Sequence, residues 1–429
     1  MRFADDVVLF DFAGFSILGC TSTGAFVGLS PDEKEACSEA LSSDARKIPS
    51  SVFSAEAMSV FSQGGFISSC DRTALPVTAY FHVTQRCNLR CIGCYSWNSL
   101  RNRSDDLATV DSLSILRKLG LIGVKNLIIS GGEPFLRKDL AELVIGAKGS
   151  GIESVSVITN GTLLNIDALQ KMAPFVDCVA VSFDGYSSES PSLLRGRQRF
   201  GELKKAIALI QDCGIKAHII ATIHSCNIYD IPSYISLARS LGTTINFSLL
   251  SASGDNNEIR DLLLDNGSLE SLAGMLIAEF DSGFGICDVI QSGCLSVKKC
   301  CGAGVKCLSV SSEGLLYPCH MLQRDEFFIS NLLVDEIADV KERIKANIFY
   351  EMSAVGITEC AECEFVHVCG GGCRARSVML YRDACHKDPY CALFKRYYQA
   401  VSKMMGEALS RDESRPFGDF GLKEDAVKR

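Results

Sequence analysis

Ala79-Tyr-Phe-His-Val83 runs directly into Thr84-Gln-Arg-Cys-Asn-Leu-Arg-Cys-Ile-Gly-Cys-Tyr95. The first five residues alternate apolar side chains and are followed by a loop, the pattern of a strand end. The loop places Cys87, Cys91 and Cys94 at the spacing C-x3-C-x2-C. Three thiolates on one tight loop hold three corners of a 4Fe–4S cube, where a closed cluster takes four. One iron is then left open to another ligand. A structural zinc site is the plainer reading of clustered cysteines, but it takes four closed ligands and this loop supplies three. Arg86 and Arg90 flank the loop and are expected to favour its thiolates.

Outward from this loop, short apolar runs alternate with amphipathic segments. Strands are expected at Ala79–Val83, Asn126–Ile129, Ser154–Ile158, Val179–Phe183, Lys216–Thr222 and Ile245–Leu249. Helical periodicity separates them at Ser112–Leu119, Asp139–Ala147 and Leu203–Asp212. This order predicts parallel βα units. Six units are too few for a closed eight-fold barrel, so the fold class expected is α/β, a partial (β/α)6 barrel of parallel strands. Ligands of such folds sit at the C-terminal strand ends.

The later strand ends carry polar motifs. The second has Ser130-Gly-Gly-Glu-Pro134, whose glycines let backbone approach a ligand and whose Glu133 suits an ammonium group. The third has Thr159-Asn160-Gly161, a turn signal by itself. The fourth has Ser182-Phe-Asp-Gly185, followed by Arg195. A hydroxyl and a carboxylate suit a ribose, and an arginine suits a carboxylate. Each motif taken singly reads equally well as loop chemistry.

The rest of the chain divides by composition. Residues 1–72 read as a small module. It has a strand pair (Val7 to Phe12, Phe15 to Leu18) and a helix opened by Ser30-Pro-Asp-Glu33. A second helix is expected near Ser54, and a closing turn and strand at Gly64-Gly-Phe-Ile67. Such an order suits a winged-helix-like module or an extension packed on the main domain. The barrel occupies 73–255, a bridging segment with a helix near Leu269–Phe280 occupies 256–293, and a cysteine-rich domain occupies 294–400. The remainder, 401–429, reads as a helix end and a polar tail with little to bury.

Composition narrows the setting. The chain has 429 residues, 47% apolar, with a net charge of −8. No basic cluster marks a nucleic-acid binder, and no run approaches the ~18 apolar residues of a membrane span. The acidic N-terminus lacks the features of a signal peptide. A cytoplasmic location is therefore expected, where 21 cysteines favour metal over disulfides.

Taken together, the strand-end motifs make the chain resemble the radical S-adenosylmethionine (radical SAM) superfamily over roughly residues 78–255. The resemblance implies that Cys87, Cys91 and Cys94 hold a 4Fe–4S cluster whose open iron is chelated by SAM. It implies that Gly131, Gly132, Glu133 and Pro134 bind the SAM amino group, with Asn160 nearby. Ser182 and Asp184 would lie near the ribose or carboxylate, and Arg195 would pair with the carboxylate. Reductive cleavage of SAM would then give methionine and a 5′-deoxyadenosyl radical that takes hydrogen from the substrate.

The C-terminal cysteines resemble a SPASM domain, the extension that usually carries two auxiliary 4Fe–4S clusters. That resemblance places Cys301, Cys307, Cys319 and Cys373 on one cluster. Cys360, Cys363, Cys369 and Cys391 would hold the other. Cys300 competes with Cys301, and Cys385 with Cys391; the spacing favours Cys301 and Cys391. Two zinc knuckles are the alternative, and they leave the upstream loop unexplained.

SPASM-bearing enzymes mostly modify peptides or proteins. In the sulfatase-maturing branch an aspartate commonly follows the cysteine equivalent to Cys319. Here the position is His320, a candidate base or simply a polar neighbour of a cluster. The expected substrate is a precursor peptide or protein, and the expected electron donor a flavodoxin or ferredoxin. The N-terminal module resembles, in pattern only, the elements that grip a precursor's leader by strand addition. Crosslinking is a two-electron oxidation and has use for further clusters, which favours a thioether or carbon–carbon crosslink. Peptide epimerisation, formylglycine formation and a non-catalytic iron–sulfur or zinc scaffold are the rival readings.

Overall fold

The computed structural model describes residues 1–49, 51–68, 76–196, 198–251, 257–278 and 295–411. The polar tail lies outside these residues, as do Cys70, Cys287 and Cys294 and the end of the expected bridging helix.

At the N-terminus, β1 (Val7–Phe12), β2 (Phe15–Cys20) and β3 (Phe26–Leu29) form an antiparallel sheet in that order. Helices α1 (Pro31–Ser42) and α2 (Ala55–Gln63) follow. The sequence signal at Ser30 is realised as a capping box: Ser30 Oγ accepts from the Glu33 N–H, and the Glu33 carboxylate accepts from the Ser30 N–H at 2.8 Å. Ser54 caps α2. Phe3, Phe53, Phe61 and Phe66 fill the core of this unit. Gly64 and Gly65 make the expected turn, but Ile67 forms only an isolated bridge, with Phe3, and not a strand.

The main sheet follows. Strands β4 (Thr78–Thr84), β5 (Asn126–Gly131), β6 (Ser154–Thr159), β7 (Cys178–Ser182), β8 (Ala217–Ile223) and β9 (Thr244–Leu249) pair in parallel in chain order. Their crossovers are α3 (Thr109–Ile122), α4 (Leu140–Gly149), α5 (Ile166–Met172), α6 (Phe200–Asp212) and α7 (Ile231–Ser240). All six strands expected from the sequence are present within one or two residues.

The two faces of this sheet differ. Ala79, Phe81 and Val83 on β4, Leu127 and Ile129 on β5, Val155 and Val157 on β6, and Ile219, Ala221 and Ile223 on β8 are buried in one core with the helices. Strand alternation sends the intervening residues to the other face. These include Tyr80, His82, Ser130, Ser156, Ser182, Thr222, Asn246 and Ser248. A parallel sheet packed on both faces is apolar on both. This one is apolar toward its helices and largely polar on the opposite side, which suits a surface that receives ligands.

After α8 (Asn257–Arg260) and α9 (Asn266–Ala278), the chain returns to the sheet. Strand β10 (Cys307–Val310) pairs in parallel with β4, and β11 (Leu315–Tyr317) and β12 (Ser330–Asn331) extend that edge antiparallel. Helix α10 (Ile337–Lys345) packs on α3, α11 (Val366–Cys369) and α12 (Arg374–Tyr381) flank the C-terminal cysteines Cys369 and Cys373, and α13 (Cys391–Arg411) packs on α9. Phe12 meets Phe365 at 6.2 Å and the Ala13 N–H donates to Ser402 Oγ at 3.1 Å, so the N-terminal sheet docks on this region. Among the described residues no helix is long and apolar enough to cross a membrane.

Candidate active site

The cysteine loop leaves β4 and lies on the glycines that end β5. Gly132 N–H donates to Thr84 O at 2.7 Å and Glu133 N–H to Arg86 O at 2.8 Å. A Cβ on Gly132 would sit 2.0 Å from Arg86 O, and one on Gly131, whose φ is +128°, 2.5 Å from Thr84 O. The loop's own backbone therefore makes the close approach that the sequence suggested for a ligand.

Glu133 is fully buried. Its Oε1 accepts from Phe135 N–H (3.1 Å) and Thr159 Oγ1 (2.8 Å), and its Oε2 from Asn160 N–H (2.7 Å). Burial raises its pKa against these three donors, which lower it. The carboxylate thus ties the end of β5 to the end of β6. Asn160 extends the tie, donating from Nδ2 to Asn88 Oδ1 at 2.8 Å in the cysteine loop.

Two further side chains hold the loop, and neither had a sequence signal. Asn102 accepts from the Cys87 N–H at 2.7 Å and donates to Cys87 O at 3.0 Å. Buried Arg101 donates to Ser96 O and Oγ at 2.8 Å and to Cys94 Sγ at 3.7 Å. The expected role of Arg86 and Arg90 is corrected accordingly. Arg86 is ion-paired with Asp106, and Arg90 is exposed. Arg101 and Arg195 are the cations that act on the thiols, Arg101 on Cys87 and Arg195 on Cys91. Burial still outweighs them and pushes Cys91 up to about 11.

Beyond β7, Asp184 and Arg195 meet each other. Their side chains form an ion pair, and the Arg195 N–H donates to Asp184 Oδ2 at 3.1 Å. The Ile92 N–H donates to Leu194 O at 2.8 Å, which holds this segment against the cysteine loop. Half-buried Ser182 ends β7. His224, which the sequence did not single out, ends β8 within the electrostatic reach of Asp184.

His320 lies behind the cysteine loop. Its ring packs 4.1 Å from Tyr80 and 5.1 Å from Tyr95, and burial pushes its pKa down to about 4. Tyr95 Oη bonds Ser130 Oγ at 2.8 Å, which connects this group to the second strand end.

The C-terminal cysteines lie in two groups. Cys360, Cys363, Cys369 and Cys391 line one pocket, with Asp388, Phe394 and Tyr398. Cys301, Cys319 and Cys373 pack together, and Cys307 lies within electrostatic reach of Cys301 and Cys319. Cys385 is exposed. Cys300 is hydrogen-bonded to Cys301 and lies within electrostatic reach of Cys360. Burial pushes Cys307 and Cys369 up to about 12. Thiols so placed stay protonated unless a metal supplies the countercharge, and among the described residues no three potential ligands converge on a single-ion position.

Residues 81–238 match the model of the radical SAM superfamily. The PqqA peptide cyclase of Bradyrhizobium diazoefficiens is 26% identical over 348 residues, covering 76% of this chain and 88% of that protein. The mycofactocin maturase MftC of Mycobacterium ulcerans is 28% identical over 330 residues, covering 74% and 88%. Among solved structures, anSMEcpe with bound AdoMet superposes with a TM-score of 0.63 at 19% identity, over 78% of this chain and all of that one. Streptococcus suis SuiB superposes with a TM-score of 0.57 at 18% identity, over 91% and 98%. At these identities the structures speak for the α/β fold with its mostly parallel sheet. Residues 81–238 thus carry a radical SAM domain, and the chain is similar to enzymes named peptide cyclase and maturase. A radical SAM domain implies a 4Fe–4S cluster and SAM.

Proposed function

We propose that this enzyme is a radical SAM/SPASM maturase acting on a ribosomally made precursor peptide and favouring a thioether or carbon–carbon crosslink. The observation that carries the proposal is the presence, beside one three-cysteine loop, of two C-terminal groups of cysteines, one around a pocket (Cys360, Cys363, Cys369 and Cys391) and one packed together (Cys301, Cys319 and Cys373). In this reading Cys87, Cys91 and Cys94 hold the SAM-binding cluster. Cys301, Cys307, Cys319 and Cys373 hold one auxiliary cluster, and Cys360, Cys363, Cys369 and Cys391 the other. When bound, the first cluster supplies the electron that cleaves SAM to methionine and a 5′-deoxyadenosyl radical.

The chain's own residues arrange this chemistry. Gly131 to Pro134, Asn160, Ser182, Asp184 and Arg195 form the SAM-facing rim. Because three donors engage Glu133, we assign it to fixing the rim, leaving its last acceptor position for an ammonium group. Arg195 is held by Asp184 beside Cys91, so it is preorganised for a carboxylate. A histidine pushed down to about 4 is a poor base at neutral pH; His320 is assigned to the wall of the site.

A crosslink removes two hydrogens and two electrons from the substrate. One hydrogen atom would leave with the adenosyl radical and the other as a proton, and the remaining electron would need an acceptor, which an auxiliary cluster held by the C-terminal cysteines would supply. The initiating electron would come from a flavodoxin or ferredoxin. Residues 1–72 would take the leader along an edge of the β1–β3 sheet. The divisions 73–255, 256–293, 294–400 and 401–429 complete the proposed organisation. The relatives named peptide cyclase and maturase support a peptide substrate.

The test is anaerobic co-expression with a short peptide encoded beside the gene. Loss of two hydrogens in the peptide's mass is expected. Unchanged mass with deuterium uptake would mean epimerisation, and absence of 5′-deoxyadenosine would end the radical reading.

A further inference from the structure

The two C-terminal cysteine sets meet at one buried ion pair. Cys369 lines the cavity of one set, and Cys373 packs with Cys301 and Cys319 of the other. Between them run Gly370, Gly371 and Gly372, with φ of +69°, +76° and +74°. A Cβ on Gly372 would stand 2.5 Å from Asp388 Oδ2, so Asp388 is pressed directly against this run.

Asp388 is 1% exposed and touches both sets. Its Oδ2 accepts from the Cys373 N–H at 2.5 Å. Its main-chain oxygen accepts from the Cys391 N–H at 2.9 Å. Asp388 is also among the residues lining the pocket of Cys360, Cys363, Cys369 and Cys391. Arg376 grips the carboxylate from the other side, with Nε donating to Oδ1 at 3.0 Å and Nη2 to Oδ2 at 2.5 Å. Tyr390 and Phe394 cover the guanidinium at 5.1 and 5.7 Å. Both partners are withdrawn from water.

A buried ion pair is weak evidence for stability, because desolvation offsets the attraction. What it does supply is fixed charge in a poorly screened interior. Added negative charge nearby is opposed by the carboxylate and favoured by the guanidinium. Reduction of a cluster is such an addition, and local charge is among the determinants of cluster potentials.

We propose that Arg376 and Asp388 form a positioning pair that holds one ligand of each auxiliary cluster at fixed separation and sets the reduction potentials of the two clusters. The inference rests on the reading that these two cysteine sets hold clusters. Through Cys373 and Cys391, the pair would decide which auxiliary cluster first holds an electron leaving the substrate.

The test uses the full chain, reconstituted anaerobically, with Cys87, Cys91 and Cys94 changed to Ala so that only the auxiliary sets load. Adding Cys369→Ala or Cys301→Ala isolates one set at a time. Iron content and EPR-monitored redox titration are read together. With Asp388→Asn, parental iron content and a rise in both midpoints are expected. With Arg376→Met both midpoints should fall. Arg376→Lys keeps the charge and should stay nearer the parent than Arg376→Met.

Opposite signs are what mere loosening of the fold would not produce. Full iron content with unmoved midpoints overturns the proposal, as do shifts of the same sign in the Asn and Met variants. Iron loss in all three variants overturns it too, since the pair would then be only a scaffold. Absence of auxiliary iron in the parent would instead defeat the cluster reading itself.

Discussion

The cysteine loop after β4 and the cysteine sets of the C-terminal region solve opposite problems. At the loop, Cys87, Cys91 and Cys94 are only partly buried, and they are held by side chains drawn from several strand-end segments. In the C-terminal region, equally half-buried, Cys301 is held well above the ordinary thiol range by its hydrogen bond with Cys300 and by desolvation, and Cys319 by desolvation. Their surroundings are supplied within one stretch of chain, through Arg374, Arg376 and Asp388. A site assembled from many strand ends leaves one side open to a small molecule. A site wrapped by one segment closes on what it holds. The difference suits the first to reaction and the second to electron transfer.

The largest effect expected from breaking this contrast is at the loop. Cys87→Ala should reduce 5′-deoxyadenosine formation to background while the iron of the C-terminal sets stays in place. Iron assay and product quantification on the same anaerobic preparation check it. Loss of all iron together would mean that the two regions do not load independently.

The reciprocal change is smaller. Cys369→Ala should remove about four irons per chain. SAM cleavage should persist, while crosslinked peptide falls. If crosslinking is untouched, the cavity lined by Cys360, Cys363, Cys369 and Cys391 has no part in removing the second electron.

A third change tests whether the loop is held by backbone fit. Gly132→Ala would drive a methyl group against Arg86 O, 2.0 Å from the ideal Cβ position. Overpacking of this kind costs about 1–3 kcal/mol. Thermal stability and iron retention at the loop should fall together. Gly356→Ala, in the C-terminal region where a Cβ meets nothing within 4 Å, is the control; it should shift stability by no more than about 0.5 kcal/mol.

How much of this was legible in the sequence divides along the same line. The six parallel strands were readable because each is a short apolar run bounded by turn residues. The capping box of α1 was readable because Ser30 and Glu33 act on each other locally. Strands β10 to β12 were not. The longest has four residues, Cys307 to Val310, and it exists by pairing with β4 from more than 200 positions away. The cysteines and glycines of the site were readable by spacing. The residues that hold them were not: Arg101 and Asn102 sit in a loop without periodicity, and only tertiary contact gives them a role. Asp184 and Arg195 were each singled out for a ligand, yet their attachment to each other was not foreseen, since a residue's type does not reveal which partner it takes.

Asn102 gives the finest test of the contrast, because two separable properties meet in it. Its φ is +59°, a conformation that asparagine tolerates better than most residues. Its side chain also makes both hydrogen bonds to the Cys87 backbone. Asn102→Gly keeps the backbone at ease and removes the two bonds. Asn102→Ala removes the bonds and adds the strain of a left-handed alanine, about 1 kcal/mol. If the side chain matters because it fixes Cys87, both variants should slow 5′-deoxyadenosine formation several-fold, with Ala modestly worse. If only the turn matters, Gly should match the parent and Ala alone should suffer. In either case the auxiliary midpoints should not move, since Asn102 bonds the cysteine loop and its effect should end there. A shift in those midpoints would mean that the open and closed cysteine regions are coupled through the β4–β10 seam.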